Sequence, residues 1–162
     1  MAVVLKFIEP SVENYKKLLN KAVRPNLLQS FPYALAIRKT QNLGTKLCII
    51  EKDGTDIGFC QIHEAKTLWG AFHVITIDRG PCWFEGKGKP QDFIEFAEAL
   101  DHYAPPRFGR MRRFMPEVAT THKQLAQEIN FHSWIKREKV QPYHNIWVDL
   151  RPEEDKLRKN LK

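Results

Sequence analysis

Apolar and polar positions along the chain fall into a succession of short periodic segments. Val3–Ile8 is a predominantly apolar run ended by Pro10, as a strand would be. Ser11 then stands where a helix cap belongs, and Val12, Tyr15, Leu18 and Leu19 keep a 3-4 spacing to about Ala22. After the loop Arg24-Pro25-Asn26, a second helix is predicted from Ser30 to Gln41, with Ser30 as cap, Pro32 in the first turn and Asn42-Leu43-Gly44 as the stop. Two strands follow, Lys46–Glu51 and Asp56–Glu64, joined by Lys52-Asp53-Gly54, whose Asp-Gly pair favours a tight hairpin. His73–Asp78 reads as a buried strand, Gln91–Tyr103 as a helix with Phe93, Phe96, Ala97 and Leu100 on one face, and Phe108–Met115 as a strand. Further on, the pattern predicts a short helix over Thr121–Asn130, a strand over Ile146–Leu150 and a last helix from Pro152 carrying Leu157 and Leu161. Hairpins mixed with βαβ crossovers predict an α/β or α+β fold around one central mixed sheet, mostly antiparallel and flanked by helices.

Composition narrows the class. The chain has 162 residues, of which 43% are hydrophobic and 28% charged, enough for one domain with a full core and too short for two ordinary ones. No apolar run is long enough to span a bilayer, and MAVVLKFIEP lacks the pattern of a signal peptide, so a cytoplasmic protein without a membrane span is expected. Cys48, Cys60 and Cys82 form no CxxC pair; the first two sit in strand-like runs as small buried residues, and Cys82 is placed to be exposed. The six histidines show no HxxxH or HExxH spacing, so no metal site is expected. GxSxG and Walker A patterns are absent, which turns the reading away from hydrolases and NTPases.

The net charge of +7 changes the picture further, because it points to anionic partners. Four arginines fall within RFGRMRR, 107–113, where Arg110 and Arg112 are candidate contacts to phosphate or RNA and a solvated face is the plainer reading. The stretch IDRGPCW, 77–83, concentrates the remaining chemistry. Gly80 permits close approach to the backbone, Pro81 withdraws a donor and ends pairing, and Arg79 can grip a phosphate or carboxylate with two bonds or simply pair with Asp78.

Several of these segments resemble the FemABX-like aminoacyltransferases, a branch of the GNAT acyltransferase fold. LLQSFPYALA, 27–36, is similar to that branch's helix entry, with Gln29, Ser30 and Tyr33 at the matching positions. IGFCQI, 57–62, resembles its Gly-x-x-Gln strand, IDRGPCW its I-P-R-G-P strand end, and YHNIWVDLRPEEDKL, 143–157, its late strand and the helix after it. The pieces occur in family order over residues 27–157. Asp78 replaces the proline before Arg79, Ile37 stands where a lysine is common with Arg38 beside it, and Glu85-Gly86-Lys87-Gly88-Lys89 does not have the spacing of an acetyl-CoA pyrophosphate loop.

The resemblance implies transfer of an aminoacyl group from aminoacyl-tRNA, as co-substrate rather than cofactor, to an amine of a peptidoglycan-type precursor. A backbone donor near Gly80 would hold the oxyanion where the strand opens into a notch. Asp78, the one carboxylate at that mouth, reads from the residues themselves as a general base or as an ordinary turn acid, since the family pattern calls for no dedicated side chain in the final amine deprotonation. Gln29, Tyr33, Arg38, Arg79, Pro81, Arg110 and Arg112 would hold an anionic tRNA or UDP-linked substrate. Two alternatives stand beside it: an acetyl-CoA-dependent N-acetyltransferase using 84–90, and a non-catalytic basic module that binds RNA or an anionic polymer. Residues 1–151 are expected to form one GNAT-like domain. Residues 152–162 then begin a helix that either frays or leads to a second such domain, and the partner is that domain or a homodimer mate.

Overall fold

The structure is a computed structural model that describes residues 3–116. The segments expected at Thr121–Asn130, Ile146–Leu150 and from Pro152, with the motif at 143–157 and the boundary at residue 151, lie outside the described residues.

Six strands form one sheet: β1 (Val3–Ile8), β2 (Gly44–Lys52), β3 (Thr55–Thr67), β4 (Phe72–Asp78), β5 (Cys82–Trp83) and β6 (Arg110–Met115). They lie in the order β1-β2-β3-β4-β6, with β5 pairing β3 off that path. Neighbours run antiparallel except β4 and β6, which are parallel and are joined through helix α3 (Phe93–Tyr103), as a crossover requires. Helices α1 (Val12–Leu19) and α2 (Phe31–Gln41) precede the long strands.

Local chemistry explains most boundaries. The Ser11 side chain accepts from the Asn14 N–H at 3.2 Å and caps α1. Asn42 takes the left-handed conformation that stops α2, and Asp53 and Gly54 both have positive φ, the geometry of the primed hairpin turns. Ser30 departs from expectation. It occupies the N-cap of α2, yet its hydroxyl turns back to donate to the Leu27 carbonyl at 2.6 Å, bracing a 3-10 turn over Leu27–Gln29.

The sheet has two dressed faces. On one, Tyr15, Leu18, Leu47, Phe59, Cys82 and Phe84 form a buried cluster, with Phe31 and Ile49 packed against it. On the other, Phe93 and Phe96 of α3 pack on Phe114 of β6, the Phe93 and Phe114 rings stacked at 4.8 Å. Lys52 bonds Asp92 and Glu95 at 2.9 and 2.6 Å and ties β2 to the start of α3. All three cysteines are buried, so Cys82 is not the exposed thiol expected after the RGP turn. The strand β5 brings it inside, and two residues are too few to leave a periodic trace in sequence.

Candidate functional site

Strand β3 changes partner along its length, and that change builds the site. Its last matched pair with β4 is His63 with Thr76, and its first with β5 is Phe59 with Cys82. Three residues of β3, Cys60–Ile62, therefore face five of the returning chain, Ile77–Pro81. The surplus pushes Asp78–Pro81 off the ladder, as a wide bulge does. Arg79 takes a φ of 49°, its N–H donates to the Met115 carbonyl at 2.8 Å, and the Gly80–Pro81 peptide bond is cis.

The gap so made is not an open notch. The Gln29 side chain, 0% exposed, fills it. Its Nε2 donates to the Asp78 carbonyl at 2.7 Å, and its Oε1 accepts from the Gln61 N–H at 2.6 Å. One amide thus replaces a ladder bond that the bulge prevents. Gly80 is bare for the same reason: a Cβ there would lie 2.9 Å from Gln29 Nε2 and 3.1 Å from Cys60 Sγ. The close approach that Gly80 permits is to Gln29, and the main-chain donors of Gln61 and Arg79 are both engaged. The expected oxyanion notch at Gly80 is corrected accordingly.

Beside this plug lies a line of buried polar side chains on the α1–α2 face. Tyr15 OH donates to Gln61 Oε1, and Gln61 Nε2 donates to the Leu28 carbonyl at 3.1 Å. That carbonyl fixes the amide orientation, so Gln61 Nε2 also donates to His63 Nε2 at 2.9 Å. His63 then carries its proton on Nδ1, 3.1 Å from Thr45 Oγ1. Burial lowers the His63 pKa and keeps the ring neutral, although Asp78 acts in the opposite sense.

Asp78 ends the line. Its side chain is 8% exposed, and Oδ2 accepts from Tyr33 OH at 3.0 Å. Burial and then this hydrogen bond push the Tyr33 pKa up to about 12, so the phenol stays protonated. Oδ1 has no hydrogen-bond partner, and the nearest cation is Arg113 Nη2, 3.9 Å away on a side chain 59% exposed. A buried carboxylate with one acceptor unfilled beside a solvent-reaching cation is a natural place for a cationic group to bind.

Of the sequence candidates, Gln29, Tyr33, Asp78, Gly80 and Pro81 come together here. Arg38 is exposed on the last turn of α2. Arg110 and Arg112 go to the opposite face, away from Asp78. Arg112 bonds Asp101, Arg110 bonds the Pro105 carbonyl at 2.6 Å, and both lean on α3. Arg113, passed over in sequence, is the arginine of that run that faces Asp78, because a strand turns successive residues to opposite sides. His63 was passed over too. Its signal is the alternation Phe59, Gln61, His63, which puts polar groups at positions where the strand is otherwise apolar.

No metal-binding group of three or more His, Cys, Asp or Glu occurs among the described residues. In the loop 84–90, the N–H groups of Lys87 and Gly88 both point to the Phe84 carbonyl, at 3.2 Å, and a Cβ on Gly88 would sit 2.2 Å from the Ile57 carbonyl oxygen. That loop folds back on the protein.

No family model matches the chain, and no curated protein matches it. Among solved structures, FemX superposes on 76% of this chain at 14% identity with a TM-score of 0.52. The chain has a GNAT-like fold. It spans 30% of the length of the FemX chain it matches. Also similar are a possible acetyltransferase from Clostridium difficile 630, at 6% identity over 91% of this chain and 100% of that one with TM-score 0.48, and an aminoglycoside acetyltransferase from an uncultured soil metagenomic sample, at 14% over 92% and 100% with TM-score 0.47. In this GNAT-like sheet, the plugged gap lies along β3, between the stretch paired with β4 and the stretch paired with β5.

Proposed function

We propose that this chain is an acyltransferase domain that receives an amine at Asp78, and specifically that it moves an aminoacyl group from aminoacyl-tRNA to an amine of a peptidoglycan-type precursor. The observation that carries the reading is the buried Asp78 carboxylate with Oδ1 unfilled. An ammonium supplies the donor that Oδ1 lacks, and the low local dielectric strengthens the pairing. The aminoacyl donor and the precursor rest on the resemblance of residues 27–157, with the FemX likeness supporting the fold.

In the transfer, the ammonium gives one proton to Asp78 Oδ1 and its nitrogen attacks the ester carbonyl of the donor. The C–N bond forms, the ester C–O bond breaks, one of the two protons left on the nitrogen passes to the departing ribose oxygen, and Asp78 Oδ1 then releases its own proton to solvent. Tyr33 holds Oδ2 so that Oδ1 faces the amine. Arg113, the exposed cation nearest Asp78, is placed to meet an anionic part of either substrate. With the main-chain donors of Gln61 and Arg79 engaged, charge on the carbonyl oxygen falls to Arg113 rather than to the RGP turn. A second GNAT-like domain or a homodimer mate would complete the acceptor grip.

The test incubates the chain with labelled aminoacyl-tRNA and a UDP-linked peptide precursor, then follows the label into an amide. Labelled amide that disappears with Asp78→Asn supports the reading. Label that stays on tRNA overturns the aminoacyl assignment. If acetyl-CoA alone gives an acetylated amine, the reaction is acetyl transfer instead.

A further inference from the structure

Two turns abut at the end of the sheet where β4 begins. One, Leu68–Gly70, places Leu68 and Trp69 at φ of 48° and 53°, left-handed positions that side-chain-bearing residues rarely adopt. The other, Arg107–Gly109, leads into β6. They are locked together: Arg107 Nη2 donates to the Gly70 carbonyl at 3.2 Å, the His73 N–H donates to the Gly109 carbonyl at 2.8 Å, and a Cβ on Gly109 would sit 2.1 Å from the Ala71 carbonyl oxygen.

These fixed turns carry large apolar side chains outward. Trp69 is 105% exposed and Phe108 96%, values of a side chain standing clear of the protein. Leu68, Phe72 and Met111 are exposed beside them. Phe72 and Met111 share one face, since Met111 is in register with Val74, two residues along from Phe72. A soluble surface gains nothing from such a cluster. The charge along both turns and the chain next to them has one sign. No Asp or Glu occurs from Ala65 to Ile77 or from His102 to Pro116, whereas Lys66 and Arg107 are exposed there.

We propose that the paired turns 68–72 and 107–111 form a membrane-contact surface for an anionic phospholipid bilayer. Side chains that stand clear of the protein suit a yielding interface. Trp69 and Phe108 fit the depth of the headgroups, Leu68 and Met111 add aliphatic surface that does not stack on a nucleobase, and Lys66 and Arg107 meet lipid phosphates. No helix of the described residues is long and apolar enough to cross a membrane, and the proposal concerns the contact that these turns make with the bilayer surface. The proposal stands apart from the acyl-transfer reading.

The test is co-sedimentation of the full chain with phosphatidylcholine vesicles, with and without phosphatidylglycerol. Binding is expected with phosphatidylglycerol and is weakened by salt. Trp69→Ser and Phe108→Ser should each weaken it about tenfold, and Lys66→Gln roughly fivefold. Trp69→Phe should preserve binding while abolishing the part of the tryptophan fluorescence that brominated lipid quenches. Circular dichroism checks that each variant folds. The proposal is overturned if the parent chain stays in the supernatant with anionic vesicles, or if Trp69→Ser/Phe108→Ser pellets as the parent does. It is equally overturned if the patch instead binds single-stranded RNA, or if it holds two copies together that the double variant separates.

Discussion

Replacing Gln29 probes the plug in the sheet directly. The side chain is fully buried and joins the Gln61 N–H to the Asp78 carbonyl. Gln29→Met keeps most of the volume and removes both hydrogen bonds, leaving two buried main-chain groups unsatisfied. Each costs about 1–3 kcal/mol, so the domain should lose about 2–6 kcal/mol. With a urea slope of about 2 kcal/mol/M, a loss near the middle of that range lowers the unfolding midpoint by about 2 M. Chemical denaturation followed by circular dichroism reads it. Gly80→Ala gives the internal control, because its Cβ would press on Gln29 Nε2 at 2.9 Å and Cδ at 3.0 Å. In Gln29→Ala the space is free, so adding Gly80→Ala should cost about 1 kcal/mol less than it does alone. A midpoint shift below about 0.5 M in Gln29→Met, or strict additivity in the pair, refutes the view that this amide replaces a missing ladder bond.

Asp78→Asn keeps an oxygen for Tyr33 and removes the charge; amide formation should fall about 100-fold or more, the usual yield of a positioned acid–base group, with little change in unfolding midpoint. The neighbouring arginines separate by face: Arg113→Ala should weaken transfer and leave stability nearly unchanged, whereas Arg112→Ala, which loses Asp101 and the Ala104 carbonyl, should lower stability and spare transfer. His63 has a folded pKa below its ordinary 6.5, so its contribution is whole above pH 6.5 and declines as the pH falls from there, because the unfolded chain takes up a proton that the folded one refuses. Denaturation midpoints from pH 7 down to 5 should show that decline in the parent and a shallower one in His63→Gln. Gly109→Ala sets a Cβ against the Ala71 carbonyl in a residue with φ of 76°, and should destabilise by more than about 1 kcal/mol in thermal unfolding.

Much of the site was legible as residue types without being legible as geometry. The motif around Gln29, Ser30 and Tyr33 was found, and Tyr33 does meet Asp78, 45 positions later. Sequence gave no reason to prefer Arg113 over Arg110 and Arg112, since four cations in seven residues mask the register. His63 is invisible in sequence for a related cause: its spacing from the other histidines fits no metal motif, and its partners Gln61 and Thr45 are set by strand pairing.

Among the described residues, the order of the longer helices and strands, the Asp53-Gly54 hairpin, the Ser11 cap and the Asn42 stop were determined by the chain itself. Each depends on dihedral preferences and hydrogen bonds within a few residues, and a short window contains them whole. Tertiary structure decided that the opening between β4 and β5 is closed, and which arginine stands beside Asp78. Gln29 reaches partners 32 and 49 positions away, and only the packing of the 3-10 turn Leu27–Gln29 against the bulged sheet brings them within the reach of one amide.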